Sequence, residues 1–364
     1  MSLVVLITGA NGFIGANLTS YLLKKNYEVI ALVRPGANLN LLSTLCNKND
    51  KLNLVYTDYQ DSNELKQIFA KSNIIIHLAA KTTGPSFEDL YISNVELCKK
   101  FINILNSLNK DIHFIFLSSQ AVSGVSEKNI PKKESDDPKP LTWYGKTKLL
   151  SENYIKEQLK NKWTIIRPAS VYGRGDADFF HYFKMIEYGI TLIPNEADDI
   201  YKSVFSHIYI DELTELIEKC IHNPIVYYEL LNVANPFICS TEHFLRIISS
   251  AIKEVNQNNL TQYKSKHCLK NFKKYIKIHF TIDIPNIITI GVAFISEIIW
   301  KINKCLGVKS KFPILNRQKL IEIKQSSWLL DTTKIQNLLL FNPENKLFDN
   351  LKETYIWYKE NYYL

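Results

Sequence analysis

Tyr144 and Lys148 stand four residues apart in Tyr144-Gly145-Lys146-Thr147-Lys148, where a stretch of helical spacing begins. On a helix that interval sets both side chains on one face. An ammonium beside a phenol favours the phenolate and lowers the phenol pKa by about 1–3 units. A tyrosine brought down from about 10 becomes a usable general acid/base near neutrality. Upstream, the apolar run Ile112-His113-Phe114-Ile115-Phe116-Leu117 delivers Ser118-Ser119. A hydroxyl there can hold a substrate oxygen while the tyrosine moves its proton. Tyrosine and lysine at this interval also occur on ordinary solvated helix faces. The serine at a strand end is what turns the pair into a proton-transfer set.

A second constellation lies near the start of the chain. The unbroken apolar run Leu3-Val4-Val5-Leu6-Ile7 is the pattern of a strand buried on both faces. It enters Thr8-Gly9-Ala10-Asn11-Gly12-Phe13-Ile14-Gly15, followed by an amphipathic stretch over 17–25. Strand, glycine turn and helix point backbone N–H groups and a helix N-terminus at a phosphate. Gly9 serves the tight turn, Gly12 the approach to a pyrophosphate, and Gly15 the close packing of helix on strand. This predicts dinucleotide binding. The next strand, Glu28–Val33, ends in Arg34-Pro35-Gly36. An acid at that tip would hold the ribose hydroxyls of NAD, whereas Val33 and Arg34 offer no carboxylate and one guanidinium for a 2′-phosphate. NADP is therefore expected, with NAD as the alternative.

Further elements follow at an alternating rhythm. Strands are predicted at 52–56, 73–80, 112–117, 163–168 and 227–233, with helices after Asp61, over 93–108 and from Tyr144. Asp61-Ser62-Asn63-Glu64 has the pattern of a capping box. His77, inside the fourth strand, reads as a hydrogen-bonded structural histidine. The segment 125–140, with prolines and mixed charges, reads as an exposed, mobile loop. The alternation predicts an α/β fold, a Rossmann doubly wound parallel sheet with a smaller C-terminal substrate lobe. The expected division is 1–235 for the NAD(P)-binding domain, with 174–202 contributing to the lobe, and 236–364 for the lobe and C-terminal helices.

TGANGFIG, HLAA, the Ser-Ser closing a strand, YGKTK and RPASVYG, in this order, resemble the extended short-chain dehydrogenase/reductase family, also called the NAD(P)-dependent epimerase/dehydratase family. The resemblance implies that Ser119, Tyr144 and Lys148 are the catalytic residues. Ser119 is chosen over Ser118 because it keeps the family's spacing to Val122-Ser123-Gly124. It also implies that Gly9, Gly12 and Gly15 hold the cofactor, with Phe13 and Ile14 against its pyrophosphate. Asp58 would contact adenine, Ala79 and Pro168 would lie beside the cofactor, and Lys148 would bond the nicotinamide ribose. Ser123 replaces the family's usual tyrosine, which would alter the pocket wall. Gln120 stands where sugar-nucleotide dehydratases carry an Asp-Glu pair, which counts against that elimination. The stretch 195–202 is acidic and glycine-free where a diphosphate would be held. Pairing of helices 93–108 and 144–160 in the family suggests a homodimer through Val95, Phe101, Leu105, Leu149, Tyr154 and Leu159.

Composition sets the outer limits. The 364 residues are 46% hydrophobic and carry a net charge of +8, with no nucleic-acid module. Lysines concentrate between Lys264 and Lys277, which reads as a solvated helix face. The six cysteines form no CxxC pair or His/Cys cluster, so no metal site and a reducing, cytoplasmic setting are expected. Residues 284–306 form a helix with a wide apolar face and too many polar residues to span a bilayer. Its roles would be pocket wall, core or peripheral membrane contact. Trp328-Leu329-Leu330-Asp331 and the tyrosine-rich end resemble the 3β-hydroxysteroid dehydrogenase and dihydroflavonol reductase branch. The expected activity is hydride transfer between a nicotinamide and a carbonyl or secondary alcohol of a lipophilic small molecule. Alternatives are a nucleotide-sugar epimerase and a non-catalytic NADP-binding regulator or assembly subunit.

Overall fold

The computed structural model describes residues 3–46, 49–127, 130–195, 203–264, 280–308, 310, 312–313 and 315–361. The first half alternates as anticipated. In chain order it runs β1 (Val4–Thr8), α1 (Phe13–Lys24), β2 (Glu28–Val33), α2 (Asn40–Cys46), β3 (Leu52–Tyr56), α3 (Ser62–Lys71) and β4 (Ile74–His77). Then come α4 (Phe87–Tyr91), a π-helical turn (Ile92–Glu96), α5 (Leu97–Asn106), β5 (His113–Leu117), α6 (Trp143–Gln158), β6 (Trp163–Pro168) and β7 (Ser170–Tyr172). The remainder comprises α7 (Phe180–Glu187), β8 (Ile190–Asn195), β9 (Val204–Phe205), β10 (His207–Tyr209), α8 (Ile210–His222), β11 (Glu229–Val233), β12 (Cys239–Ser240) and α9 (Thr241–Lys264). The chain closes with β13 (Phe280–Pro285), α10 (Asn286–Cys305), α11 (Arg317–Ile323), β14 (Ser327–Trp328), α12 (Thr333–Leu339) and α13 (Leu347–Glu360).

Among the described residues the central sheet has seven strands in the order β11-β6-β5-β4-β1-β2-β3, with parallel pairing throughout. Its strands are continuous apolar runs because helices cover both faces. Val5, Ile7, Val29, Ala31, Ile74, Ile76 and Ile115 enter the core on one side. Leu6, Ile30, Leu32, Ile75, Phe114 and Phe116 enter it on the other. The chain leaves β1 toward β2 on one side and meets β4 on the other. That reversal is where doubly wound sheets open a crevice at their carboxyl ends.

Several expectations are revised. Residues 125–140 are not a free loop. Ser126 Oγ meets Ser327 Oγ at 2.6 Å, Lys132 N donates to Leu329 O at 2.9 Å, and Glu134 Oε1 accepts from Asn232 N at 2.8 Å. The helix expected over 93–108 begins earlier, at Phe87, and is interrupted by the π-helical turn. Of the six side chains expected at a dimer face, Val95, Phe101, Leu105 and Leu159 are buried within this chain. They pack on the sheet, leaving Leu149 and Tyr154 partly exposed. The lobe boundary is crossed by α12, whose Ile335 and Leu339 join the core of the first half. Residues 280–285 form β13, paired with β8, so the apolar helix starts at Asn286. Cys46, Cys98, Cys220 and Cys239 are buried free thiols and Cys305 is exposed. Cys268, residues 196–202 and the lysines from 266 to 277 lie outside the described residues.

Candidate active site

The glycine turn is shaped by close approach. Gly9 has φ +70°, and a Cβ there would meet Ala79 N at 2.9 Å. A Cβ on Gly15 would lie 2.2 Å from Gly9 O. Gly12 is exposed and stands at the N-cap of α1, where no side chain caps the first turn. Those free N–H groups and the room left by absent side chains fit a phosphate of a dinucleotide. Phe13 and Ile14 are half-buried in that first turn. Arg34 is exposed beyond the buried Val33, and Asp58 is exposed at the end of β3, its Oδ1 accepting from Gln60 N at 2.8 Å. Ala79 is half-buried and Pro168 buried, at the ends of β4 and β6. These strand-end positions converge along the crevice.

Tyr59 adds a residue the sequence reading passed over. It is 7% exposed, with φ 65°, and its hydroxyl bonds the Gly9 backbone. Burial raises its pKa against the pull of Gly9 and Arg34. The left-handed backbone directly after Asp58 has no sequence signature beyond its neighbour. His77 is structural as expected. Its Nδ1 meets Thr8 Oγ1 at 2.7 Å, and burial with the Lys148 charge lowers its pKa to about 3.

The two serines after β5 have separate environments. Ser118 is buried and its hydroxyl donates to Glu152. Glu152 also takes two hydrogen bonds from Arg167, at 2.9 and 2.6 Å, inside the protein. Ser123, expected on the pocket wall, is instead buried and accepts from Arg167 Nη1 at 3.3 Å. Ser119 is half-buried. Its Oγ accepts from Ala121 N at 3.1 Å, and its hydroxyl lies close enough to Tyr144 to draw the phenol pKa down. Tyr144 reaches it because Gly145 lets α6 press against the turn. A Cβ there would lie 2.4 Å from Ala121 O.

Lys148 is buried one helical turn on, its Nζ donating to Leu117 O at 2.7 Å and lying 6.0 Å from the Tyr144 ring centre. The electrostatics differ from the sequence expectation. Burial, joined by the Glu322 carboxylate, pushes the Tyr144 phenol above its ordinary range, against the Ser119 hydrogen bond. Burial lowers the Lys148 ammonium to about 8, opposed by Cys98 and Glu152. In a low-dielectric setting both groups are driven toward neutrality.

Four further residues frame the site. Asn94 sits in the π-helical turn, and its side chain bonds Lys81 N and O and Thr147 Oγ1 of α6. An asparagine inside a helical pattern is the signal that could have flagged it. From α11, Gln318 Oε1 accepts from Trp143 N at 2.8 Å and caps the first turn of α6. Glu322 Oε1 lies 3.5 Å from Thr142 Oγ1, which itself caps Gly145 N at 3.2 Å. Gln120 Nε2 is 3.4 Å from Ser170 Oγ, and its buried Oε1 has no protein partner. The arrangement can hold a carbonyl or alcohol oxygen at Ser119 and Tyr144 beside a dinucleotide cradle.

A family model described as the NAD dependent epimerase/dehydratase family matches residues 5–225. The sterol-4-alpha-carboxylate 3-dehydrogenase, decarboxylating, of Dictyostelium discoideum is 30% identical over 184 residues, 47% of this chain and 54% of that protein. The chain thus spans about half the length of that relative. The UDP-glucose 4-epimerase of Vibrio cholerae is 27% identical over 262 residues, 68% of this chain and 75% of that protein. Among solved structures, UDP-glucuronic acid 4-epimerase from Bacillus cereus, in complex with UDP-glucuronic acid and NAD, superposes with a TM-score of 0.69. It shares 19% identity, covering 98% of this chain and 99% of that one. UDP-glucose 4-epimerase from Thermotoga maritima gives 0.71 at 16% identity, covering 99% and 100%.

Proposed function

Since this chain belongs to the NAD dependent epimerase/dehydratase family, we propose that it moves hydride between a nicotinamide dinucleotide and a carbonyl or secondary-alcohol carbon. The observation that carries the reading is that Tyr144 has the Ser119 hydroxyl as an electrostatic neighbour and Lys148 Nζ 6.0 Å from its ring centre. When bound, the dinucleotide supplies or accepts the hydride. Tyr144 gives its proton to the substrate oxygen in reduction and takes it back in oxidation. Ser119 fixes that oxygen, and Lys148 holds the ribose and favours the deprotonated tyrosine once charge develops. Gly9, Gly12, Phe13, Ile14, Gly15, Asp58, Ala79 and Pro168 are the residues assigned to the cofactor.

Arg34, with Val33 in place of an acid, supports NADP over NAD. A charged hydrogen bond of this kind is worth about 1.5–3 kcal/mol, roughly ten- to hundredfold in affinity. Fluorescence titration should therefore find NADPH tighter than NADH, and Arg34→Ser should erase the difference. Equal affinities in the unaltered protein would remove the assignment.

A lipophilic ketone or alcohol is the substrate class favoured, supported by the sterol dehydrogenase relative and by Gln120 where dehydratases hold an acid. The epimerase relatives support a second reading, in which hydride returns to the same nucleotide sugar. A panel of steroid- and flavonoid-like ketones against UDP- and TDP-sugars, followed at the nicotinamide absorbance, separates them. Net redox turnover with a ketone supports the first. Sugar interconversion without net absorbance change supports the second. Cofactor binding with neither would mark a regulator or assembly subunit.

A further inference from the structure

Helix α10 turns an apolar face outward. Its inward side carries Ala293, Ser296 and Glu297. Ser296 Oγ donates to Leu315 O at 2.9 Å, and Glu297 accepts from Arg317 N at 2.8 Å and Arg317 Nε at 2.9 Å. Outward, Ile295, Ile299, Ile302 and Leu306 form one stripe at intervals of three and four residues, with Val292 and Ile298 on its flanks. Each of these six is between 40% and 73% exposed. Single exposed apolar residues are ordinary, but a contiguous stripe of this length marks an interaction surface. Among the described residues no helix is long and apolar enough to cross a membrane.

We propose that α10 docks this chain on an anionic lipid surface, lying in the interface with the isoleucine stripe among the acyl chains. Charge decides the occupant. Between 286 and 308 the only acid is Glu297, which is turned inward onto Arg317, whereas Lys301 and Lys304 are exposed at the last turns. Lys309 and Lys311 follow in the sequence. Apolar stripe, flanking lysines and no outward acid are what a helix at an anionic headgroup layer requires. Trp300, half-buried with Lys304 Nζ 5.3 Å from its ring centre, suits the same boundary. A second copy of the chain fits worse. Parallel pairing of two α10 helices would set lysines against lysines, and antiparallel pairing would set them against the positive N-terminal helix end.

Sedimentation of the full chain with extruded vesicles tests this independently of any turnover. Binding is expected to vesicles of phosphatidylcholine with phosphatidylserine, weaker to phosphatidylcholine alone, and reduced by salt. Replacing Ile295, Ile299 and Ile302 together by Gln should lower partitioning by about tenfold or more, while Lys301→Gln with Lys304→Gln should abolish the preference for phosphatidylserine. Unchanged circular dichroism of these surface variants keeps the comparison valid. No vesicle binding by the unaltered protein, or binding indifferent to the triple substitution, overturns the proposal. Concentration-dependent dimers that the triple substitution dissolves, without vesicle binding, would assign the stripe to a second copy.

Discussion

Helices α6 and α10 both bury polar side chains, and the contrast between them separates a site from a surface. In α6, Thr147, Lys148, Ser151 and Glu152 are buried and each has a partner: Asn94, Leu117 O, Thr147 O and Arg167. The apolar side of the same helix still enters the core through Ile155. In α10 the half-buried Ser296 and the buried Glu297 are equally well satisfied, yet the apolar side faces out. Satisfied polar burial therefore does not distinguish the two. What distinguishes them is where the apolar residues go. In α6 the buried polar groups tie the helix that carries Tyr144 to the sheet and to Asn94, whereas in α10 they fasten the helix to the segment around α11.

The contrast can be broken most sharply at Tyr144. Tyr144→Phe should lower turnover by about 10²–10⁴-fold while leaving cofactor affinity nearly unchanged, because the hydroxyl acts on the substrate. The α10 triple Gln variant should leave turnover of a water-soluble substrate unaltered. Steady-state kinetics with a parallel cofactor titration would reveal either failure, and near-normal turnover in the Phe variant would remove Tyr144 from the mechanism.

A smaller effect, in stability, separates the two helices next. Glu152→Ala strands a buried guanidinium and should cost about 3–5 kcal/mol. Ile299→Ala, on the open face of α10, should stay within about 0.5 kcal/mol of the unaltered protein. Denaturant unfolding measures both, and a large loss at Ile299 would mean that the stripe is covered by this chain itself.

A pH-dependent effect on stability concerns Lys148. Its folded-state pKa is lowered to about 8 from 10.5, so between those values the unfolded chain binds more protons. Stability of the unaltered protein should accordingly rise with pH from about 8 to about 10.5, and the burial penalty is present in full below 8. Relief of about 3 kcal/mol, less about 1–3 kcal/mol for the carbonyl of Leu117 left unpaired, makes Lys148→Met more stable by about 1 kcal/mol at neutral pH. Thermal unfolding across that range should show the slope in the parent and not in the variant. A variant less stable at every pH would mean that Lys148 is buried as a net stabilising charge.

The parts of the molecule that were legible in the sequence are those whose cause is local. Strands β2, β3 and β6 end where their apolar runs end, and Asp61 caps α3 through the N–H groups of Asn63 and Glu64. The glycine turn and the Tyr144–Lys148 interval were readable from spacing, whereas the choice of Ser119 over Ser118 came from the family resemblance. The electrostatic state of Tyr144 was not, because it depends on how deeply the phenol packs and on Glu322, nearly 180 residues away. The π-helical turn at Asn94 and the caps from α11 have the same long-range origin. Four of the six side chains expected at a dimer face turn inward for a related reason: helical spacing marks an apolar stripe without saying whether this chain or a second one covers it. The outward stripe of α10 is the same ambiguity with the stripe left open by the described residues of this chain.

The ties of Ser126 and Lys132 to Ser327, Leu329 and Asp331 bear on the order in which the chain acquires structure. Ser126 and Ser327 are 201 residues apart, and α11, which caps α6, is made just before Ser327. Contacts of such separation close late, since the loop entropy must be met before they return anything. During synthesis, at roughly 5–20 residues per second, the segment after β5 waits about 10–40 s for its partner. Strands β1 to β6 can pair well before that. Assembly of the cradle therefore precedes assembly of the mouth, and a nascent chain halted near residue 315 would carry a formed dinucleotide-binding sheet with Tyr144 still untrimmed by Gln318 and Glu322.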